Sequence, residues 1–229
     1  MVHDFIINVV DTDSISFCKK DMSEITKEER EKLLKEINDF LPDLIKMEDD
    51  GYYQTVIVNK AKNYILEKDG KIKIKGSGFT DSKRETALRE MIERIIKVML
   101  DDNSLFKIQE IYKSYIVESQ TVTDISRWST KRTITKSVMN PERTNEQKVL
   151  DALEGEDFRE GDKIYVYFDV NDSLKLADKW QNDENKERLL KRVWNTLEIF
   201  ENLLDLSQFE KYYLKSKRNV LKELIDGNE

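Results

Sequence analysis

Val9-Val10-Asp11-Thr12-Asp13-Ser14-Ile15-Ser16-Phe17 is the stretch whose reading decides the fold. Apolar residues run up to two acids, and an alternating apolar run follows. This pattern predicts strand, tight turn, strand, with Asp11 and Asp13 at the hairpin tip. Carboxylates on such a tip suit a hard divalent cation. Mg²⁺ takes one or two of them and leaves its other positions to water and substrate phosphates. The same tetrapeptide also fits a plain polar turn, because Asp and Ser favour turns. These residues alone leave both readings open.

The 229 residues suit one large or two small domains and can bury a real core. Charged residues make up 37% and hydrophobic residues 38%, with two Pro and seven Gly, so regular structure should dominate. No apolar run approaches the roughly 20 residues that cross a bilayer, and Met1-Val2-His3-Asp4 lacks the basic region of a secretion signal. No membrane partner and no secretion are expected. Cys18 and His3 are the only residues of their types, which excludes an intrachain disulfide, a Cys-based zinc site and a two-His metal site.

The net charge of −7 hides strong local differences. Residues 21–50 are strongly acidic. Residues 55–84 are basic through Lys60, Lys62, Lys68, Lys71, Lys73, Lys75, Lys83 and Arg84, and residues 127–148 are basic through Arg127, Lys131, Arg132, Lys136, Arg143 and Lys148. Contact with nucleic acid depends on such stripes more than on total charge.

Beyond the hairpin, Thr26-Lys27-Glu28-Glu29 is a capping box. It opens a helix with Leu33, Leu34, Ile37, Phe40 and Leu41 at helical spacing, which Pro42 ends or kinks. Strands are predicted at Gln54–Val58, Asn63–Glu67 and Lys71–Lys75, with a Lys68-Asp69-Gly70 turn before the last. In Lys71–Lys75 the lysines line one face and the isoleucines the other. Those lysines either protect an edge strand or turn a cationic face to phosphates. Gly76-Ser77-Gly78 marks a boundary. Helices follow from Asp81 or Ser82 and from Leu105 to Val117. A polar, basic stretch over 118–148 contains Trp128, read as a partly buried anchor. A short helix over 148–153 and a strand over 163–168 come next. Two apolar stripes complete the chain: Leu189, Leu190, Val193, Trp194, Leu197, Phe200 and Leu204, then Phe209, Tyr212, Tyr213, Val220, Leu221 and Leu224.

Five stretches now stand in one order: Asp11-Thr12-Asp13-Ser14; Lys60-Ala61-Lys62-Asn63-Tyr64; Lys73-Ile74-Lys75-Gly76; Thr123-Asp124-Ile125-Ser126-Arg127-Trp128; and Gly161-Asp162-Lys163-Ile164-Tyr165-Val166. This order resembles the C-terminal part of family B DNA polymerases. The first stretch is similar to the family's third palm motif and the second to the Lys-x-Tyr motif that contacts the primer. The last is similar to a strand near the end of the thumb. Val9-Val10 stands where the family has an aromatic residue and Gly. Ala61-Lys62 stands for Lys-Lys, and the Arg and Asp expected soon after Gly76 are blurred into Thr80–Arg84.

The resemblance implies an α+β chain. Residues 1–84 would form a partial antiparallel palm sheet with a covering helix, and residues 85–229 a mostly α-helical thumb. It implies two-metal nucleotidyl transfer by a DNA-directed DNA polymerase, with Asp13 as the direct Mg²⁺ ligand and Asp11 as its partner in a lesser role. Lys62 and Tyr64 would hold the primer end, with Lys60, Lys73, Lys75, Arg127, Lys131, Arg132 and Lys136 on DNA. The family's first palm motif, its fingers helix and its exonuclease region do not occur in this sequence. The expected partners are therefore a larger chain carrying those parts, primer–template DNA, a deoxynucleoside triphosphate and a sliding clamp. The setting would be the cytoplasm or a host cell's nucleoid or nucleus, as for a viral split polymerase. The alternative is a non-catalytic DNA-binding or processivity module derived from a thumb.

Overall fold

Local signals written in the sequence build the first of two units in the computed structural model, which describes residues 5–214. The units divide between Ser77 and Gly78. In the first, β1 (Phe5–Asp11) and β2 (Ser14–Lys19) form an antiparallel hairpin closed by Thr12 and Asp13, with Asp11 opposite Ser14. The register shifts between Ile7 and Val9, so Asn8 is an extra residue on β1. That bulge resets the alternation. Phe5, Ile7 and Val10 consequently share a face with Ile15 and Phe17, the partners of Val10 and Ile7. The Phe5 and Phe17 rings lie 5.0 Å apart on it.

The helix α1 (Lys27–Phe40) begins with the reciprocal capping box: the Glu29 N–H donates to Thr26 Oγ1 at 3.3 Å, and the Thr26 N–H to Glu29 Oε2 at 2.8 Å. It stops at Phe40 because Leu41, which precedes Pro42, is extended. Leu33, Leu34 and Ile37 are half-buried, and no residue of α1 is buried. The chain returning from α1 is tied back to it. The Asn38 amide exchanges two hydrogen bonds with the Met47 backbone (3.0 and 2.7 Å), and Arg30 pairs with Asp49 at 3.0 Å.

A meander follows, with β3 (Thr55–Lys60), β4 (Asn63–Lys68) and β5 (Lys71–Lys75) in that spatial order. The β4–β5 turn has Asp69 and Gly70 both at positive φ, as a two-residue primed hairpin turn requires. The central strand buries Ile65 and Leu66. A bulge at Asn59 between Val58 and Lys60 shifts the β3 register near its end.

The second unit opens within α2 (Ser77–Thr80), whose Phe79 is buried against Phe200 with ring centroids 5.5 Å apart. The helix expected from Asp81 or Ser82 begins later, as α3 (Thr86–Asp101). Asp81 is used in a turn instead: its carboxylate accepts the Lys83 N–H at 2.9 Å, and its carbonyl accepts the Arg84 N–H. Next come α4 (Leu105–Gln120), a 3₁₀ turn at Ile125–Trp128, β6 (Thr130–Thr133), α5 (Lys136–Met139) and α6 (Thr144–Ala152). The chain continues through β7 (Lys163–Phe168), β8 (Leu174–Leu176) and α7 (Lys186–Leu197).

One core lies among α3, α4 and α7, with Leu88, Met91, Ile92, Ile108 and Trp194 at most 2% exposed. A bidentate pair fixes α7 to the start of α3, with Arg192 donating to both oxygens of buried Glu85 at 2.8 and 2.5 Å. A second core gathers Ile134, Val138, Val149, Leu153, Val166, Leu174 and Leu176 under the sheet β6-β7-β8. The fold class is α+β. The second unit departs from the mostly helical expectation in that the strand foreseen over 163–168 has two partners, β6 and β8, and makes a three-stranded sheet. Trp128 is wholly inside, at 2% exposure. The last stripe is realised in short 3₁₀ turns at Leu206–Gln208 and Tyr212–Leu214, while Val220, Leu221 and Leu224 lie outside the described residues.

A polar network links β7 and β8 to the entry of α7. Lys175 pairs with Asp183 at 2.6 Å and with buried Asp169 at 3.2 Å, and the Tyr167 hydroxyl donates to Asp183 at 2.7 Å. Burial alone would raise the Asp169 pKa. Backbone N–H groups of Ser173 and Asn171, together with Lys175, outweigh burial and hold it below the usual carboxylate range. Burial likewise pushes Asp183 upward, and Lys175 and Tyr167 reverse the direction. Both folded pKa values are depressed, so their stabilisation is fully present above the unfolded value of about 3.9 and is lost as pH falls through the folded values. Thermal melts taken from pH 6 to pH 2 should show Tm falling below about pH 4. Asp183→Asn should flatten that fall.

Candidate functional site

Two hairpin tips meet in the first unit. At one, Asp11 ends β1 and Asp13 sits in the turn, exposed. At the other, Lys62 lies between β3 and β4 with φ of 61°, a left-handed conformation uncommon for a residue with a side chain. The Lys62 ammonium stands 3.2 Å from Asp11 Oδ1 and 3.5 Å from Thr12 Oγ1. Asp11 Oδ1 also accepts the Thr12 N–H at 2.9 Å. The Thr12 backbone donor, and after it the Lys62 side chain, hold the Asp11 carboxyl below its ordinary pKa. Asp13 makes no ion pair among the described residues.

Gly76 braces the second tip. Its φ is 102°, and a Cβ there would stand 2.3 Å from the Lys62 carbonyl oxygen and 2.4 Å from Asn63 Oδ1. Glycine alone allows this approach. Gly76 is thus a residue of the site that sequence reasoning took as a boundary and as the end of the Lys73-Ile74-Lys75-Gly76 stretch, without a role of its own. The available signal was its position directly after the alternating lysine strand.

The meander brings some of the other candidates together. Tyr64 pairs with Lys75 across β4–β5, and Leu66 with Lys73, so Tyr64, Lys73 and Lys75 share one face. Lys60 pairs with Asn63 beyond the Asn59 bulge, which places it on the opposite face.

In the second unit the basic stretch does not form one stripe. Arg127 donates to Glu118 at 2.9 Å and bidentately to Glu90 at 3.1 and 2.8 Å, so its charge is matched within the fold. The Glu90 and Glu118 carboxylates raise its pKa further. Lys131 and Arg132 are consecutive on β6, opposite Tyr165 and Ile164 respectively, and therefore face opposite ways. Lys136 opens α5 and is exposed.

The donor chemistry at the first tip suits a hard divalent ion in part. Asp13 offers an exposed carboxylate, while Asp11 already carries an ammonium group. Among the described residues, no group of three or more His, Cys, Asp or Glu could hold a metal, and no helix is long and apolar enough to cross a membrane.

No family model matches the sequence, and no curated protein matches it. Among solved structures, the chain is similar to the family B DNA polymerase from the hyperthermophilic archaeon Pyrobaculum calidifontis, with a TM-score of 0.59 and 17% identity. The match covers 88% of this chain and 27% of that polymerase. The likeness is one of fold: nearly the whole chain has the fold of about a quarter of a family B polymerase.

Proposed function

We propose that the chain is the C-terminal palm and thumb part of a DNA-directed DNA polymerase and works with a larger chain carrying exonuclease, fingers and first palm motif. The observation that carries this reading is the meeting of the Asp11-Thr12-Asp13 tip with Lys62 in a chain whose fold is similar to about a quarter of a family B polymerase. Residues 5–77 would be the palm part and residues 78–214 the thumb part.

Asp13 would ligate Mg²⁺ directly. Asp11, restrained by Thr12 and Lys62, would shape the tip and lend negative charge. When bound, the ions would stabilise the attacking and leaving oxygens of an in-line displacement. A two-ion centre needs carboxylates beyond these two, and the larger chain would provide them. Lys62 would lie beside the primer end, and the face bearing Tyr64, Lys73 and Lys75 would follow the primer backbone.

Exposed apolar surface in the first unit supports a partner chain. On the β1–β2 face, Ile7, Val10 and Ile15 are 62%, 66% and 51% exposed. At the end of α1 and just beyond it, Phe40 and Leu44 are 90% and 99% exposed. Large apolar patches on a soluble protein mark interaction sites.

The test is reconstitution. Chains that co-purify with the full-length protein are added back to it, and extension of a labelled primer is followed with Mg²⁺. Extension well above that of the partner by itself supports the reading. Tight duplex binding with no extension alongside any recovered partner would instead favour a non-catalytic DNA clamp.

A further inference from the structure

A groove of about 620 Å³ opens in the second unit between the start of β7, the end of β8 and the loop after α6. Its floor is apolar, formed by Ile125, Leu153 and Leu176, with Phe158, Ile164 and Tyr165 along its sides. Tyr165 is half exposed. Its volume lies within the range of about 300–1,000 Å³ typical of ligand sites.

The rim has the opposite character to a DNA-binding surface. Five carboxylates line it, from Asp124, Glu156, Asp157, Asp162 and Asp178, against the single cation Lys163. Three of the five are used within the fold. Asp124 accepts the Ser126 N–H, Asp162 accepts the Arg159 N–H, and Glu156 pairs with Lys179. Asp157 and Asp178 are exposed and make no ion pair among the described residues. Such a rim repels phosphates, and a polyanion placed there would meet a net charge of −4 from the lining side chains. Apolar surface ringed by unmatched negative charge is complementary to one kind of occupant, a large apolar side chain flanked by lysines or arginines.

We infer that this groove docks a short basic segment of a partner protein, with one large apolar residue seated on Phe158, Ile164 and Tyr165 and flanking cations on Asp157 and Asp178. This goes beyond the polymerase reading and stands on separate residues. Its test needs neither primer nor template, so either idea can fail without the other.

The probe is a fluorescein-labelled peptide of six lysines interrupted by one tryptophan, titrated into the full chain and followed by anisotropy. A second peptide carries serine in place of the tryptophan. The tryptophan peptide should bind saturably, and the serine peptide should bind about tenfold more weakly or not at all. The double variant Asp157→Lys/Asp178→Lys should weaken the tryptophan peptide by about tenfold or more, because like charges then face each other. Its melting temperature should match that of the native chain. The strongly acidic segment 21–50 is the rival location, so Glu48→Lys/Asp50→Lys is the companion variant and should leave binding unchanged. Equal binding of both peptides would overturn the proposal, as would displacement of both by spermine at equal concentrations. Loss of binding confined to the Glu48/Asp50 variant would overturn it too.

Discussion

In a reconstituted complex, Asp13→Asn should lower the rate of primer extension by about 10³-fold or more, while Asp11→Asn should cost far less. A carboxylate that ligates a catalytic ion contributes several kcal/mol to transition-state stabilisation, and each 1.36 kcal/mol is worth about tenfold in rate. Asn keeps the shape of Asp and one oxygen but loses the charge that holds a hard ion. The difference between the two acids rests on their surroundings. Asp11 already receives the Thr12 N–H at 2.9 Å and the Lys62 ammonium at 3.2 Å, so part of its charge is matched before any ion arrives. Asp13 lies in the turn and is exposed. Because it is exposed, Asp13→Asn should leave the melting temperature within the usual scatter of surface changes, about 0.5 kcal/mol. Co-purification of the partner should also be unaffected. The measurement is single-turnover extension with saturating partner and Mg²⁺. If Asp11→Asn cost more than Asp13→Asn, the two roles would be exchanged; if neither slowed extension, the catalytic assignment would fall.

What could be read in advance was what neighbouring residues decide among themselves. The capping box at Thr26 and Glu29 spans four residues and closes as its sequence says. The Asp69-Gly70 turn needs two positive φ angles and has residues that accept them. The strand at Lys163–Phe168 announces itself by apolar and aromatic content. Features set by distant partners were not legible. β6 reads Thr130-Lys131-Arg132-Thr133, with no apolar alternation, and is a strand because β7 offers it a paired edge. The bulges at Asn8 and Asn59 are visible only once two strands are in register, yet they decide which face carries Val10 and which carries Lys60. Arg127 looks like one member of a basic stripe until Glu90, 37 residues earlier, is found beneath it. Local charge density thus marked where cations lie along the chain, and pairing decided which of them remain open to a ligand.

The same dependence on register governs the second large effect. Gly76→Ala should destabilise the first unit by about 2–4 kcal/mol and disturb the site as well. At φ of 102° any Cβ is strained, and here it would also meet the Lys62 carbonyl oxygen at 2.3 Å. That oxygen belongs to the backbone of the β3–β4 tip and cannot rotate away as a side chain could. Relief requires either β5 to leave β4 near the Tyr64–Lys75 pair or the Lys62 tip to swing outward. Outward movement draws the Lys62 ammonium away from Asp11, and the Asp11 pKa should then rise toward its ordinary value. Carbon-detected NMR titration of the aspartates would read this directly. Gly70→Ala is the control. Gly70 also has positive φ, at 72°, but no atom lies within 4 Å of the Cβ it would gain. It should cost only the conformational penalty, about 1 kcal/mol, with the Asp11 titration unchanged. Should the two alanine variants melt alike and titrate alike, the close approach of Gly76 to Lys62 would have no part in holding the two tips together.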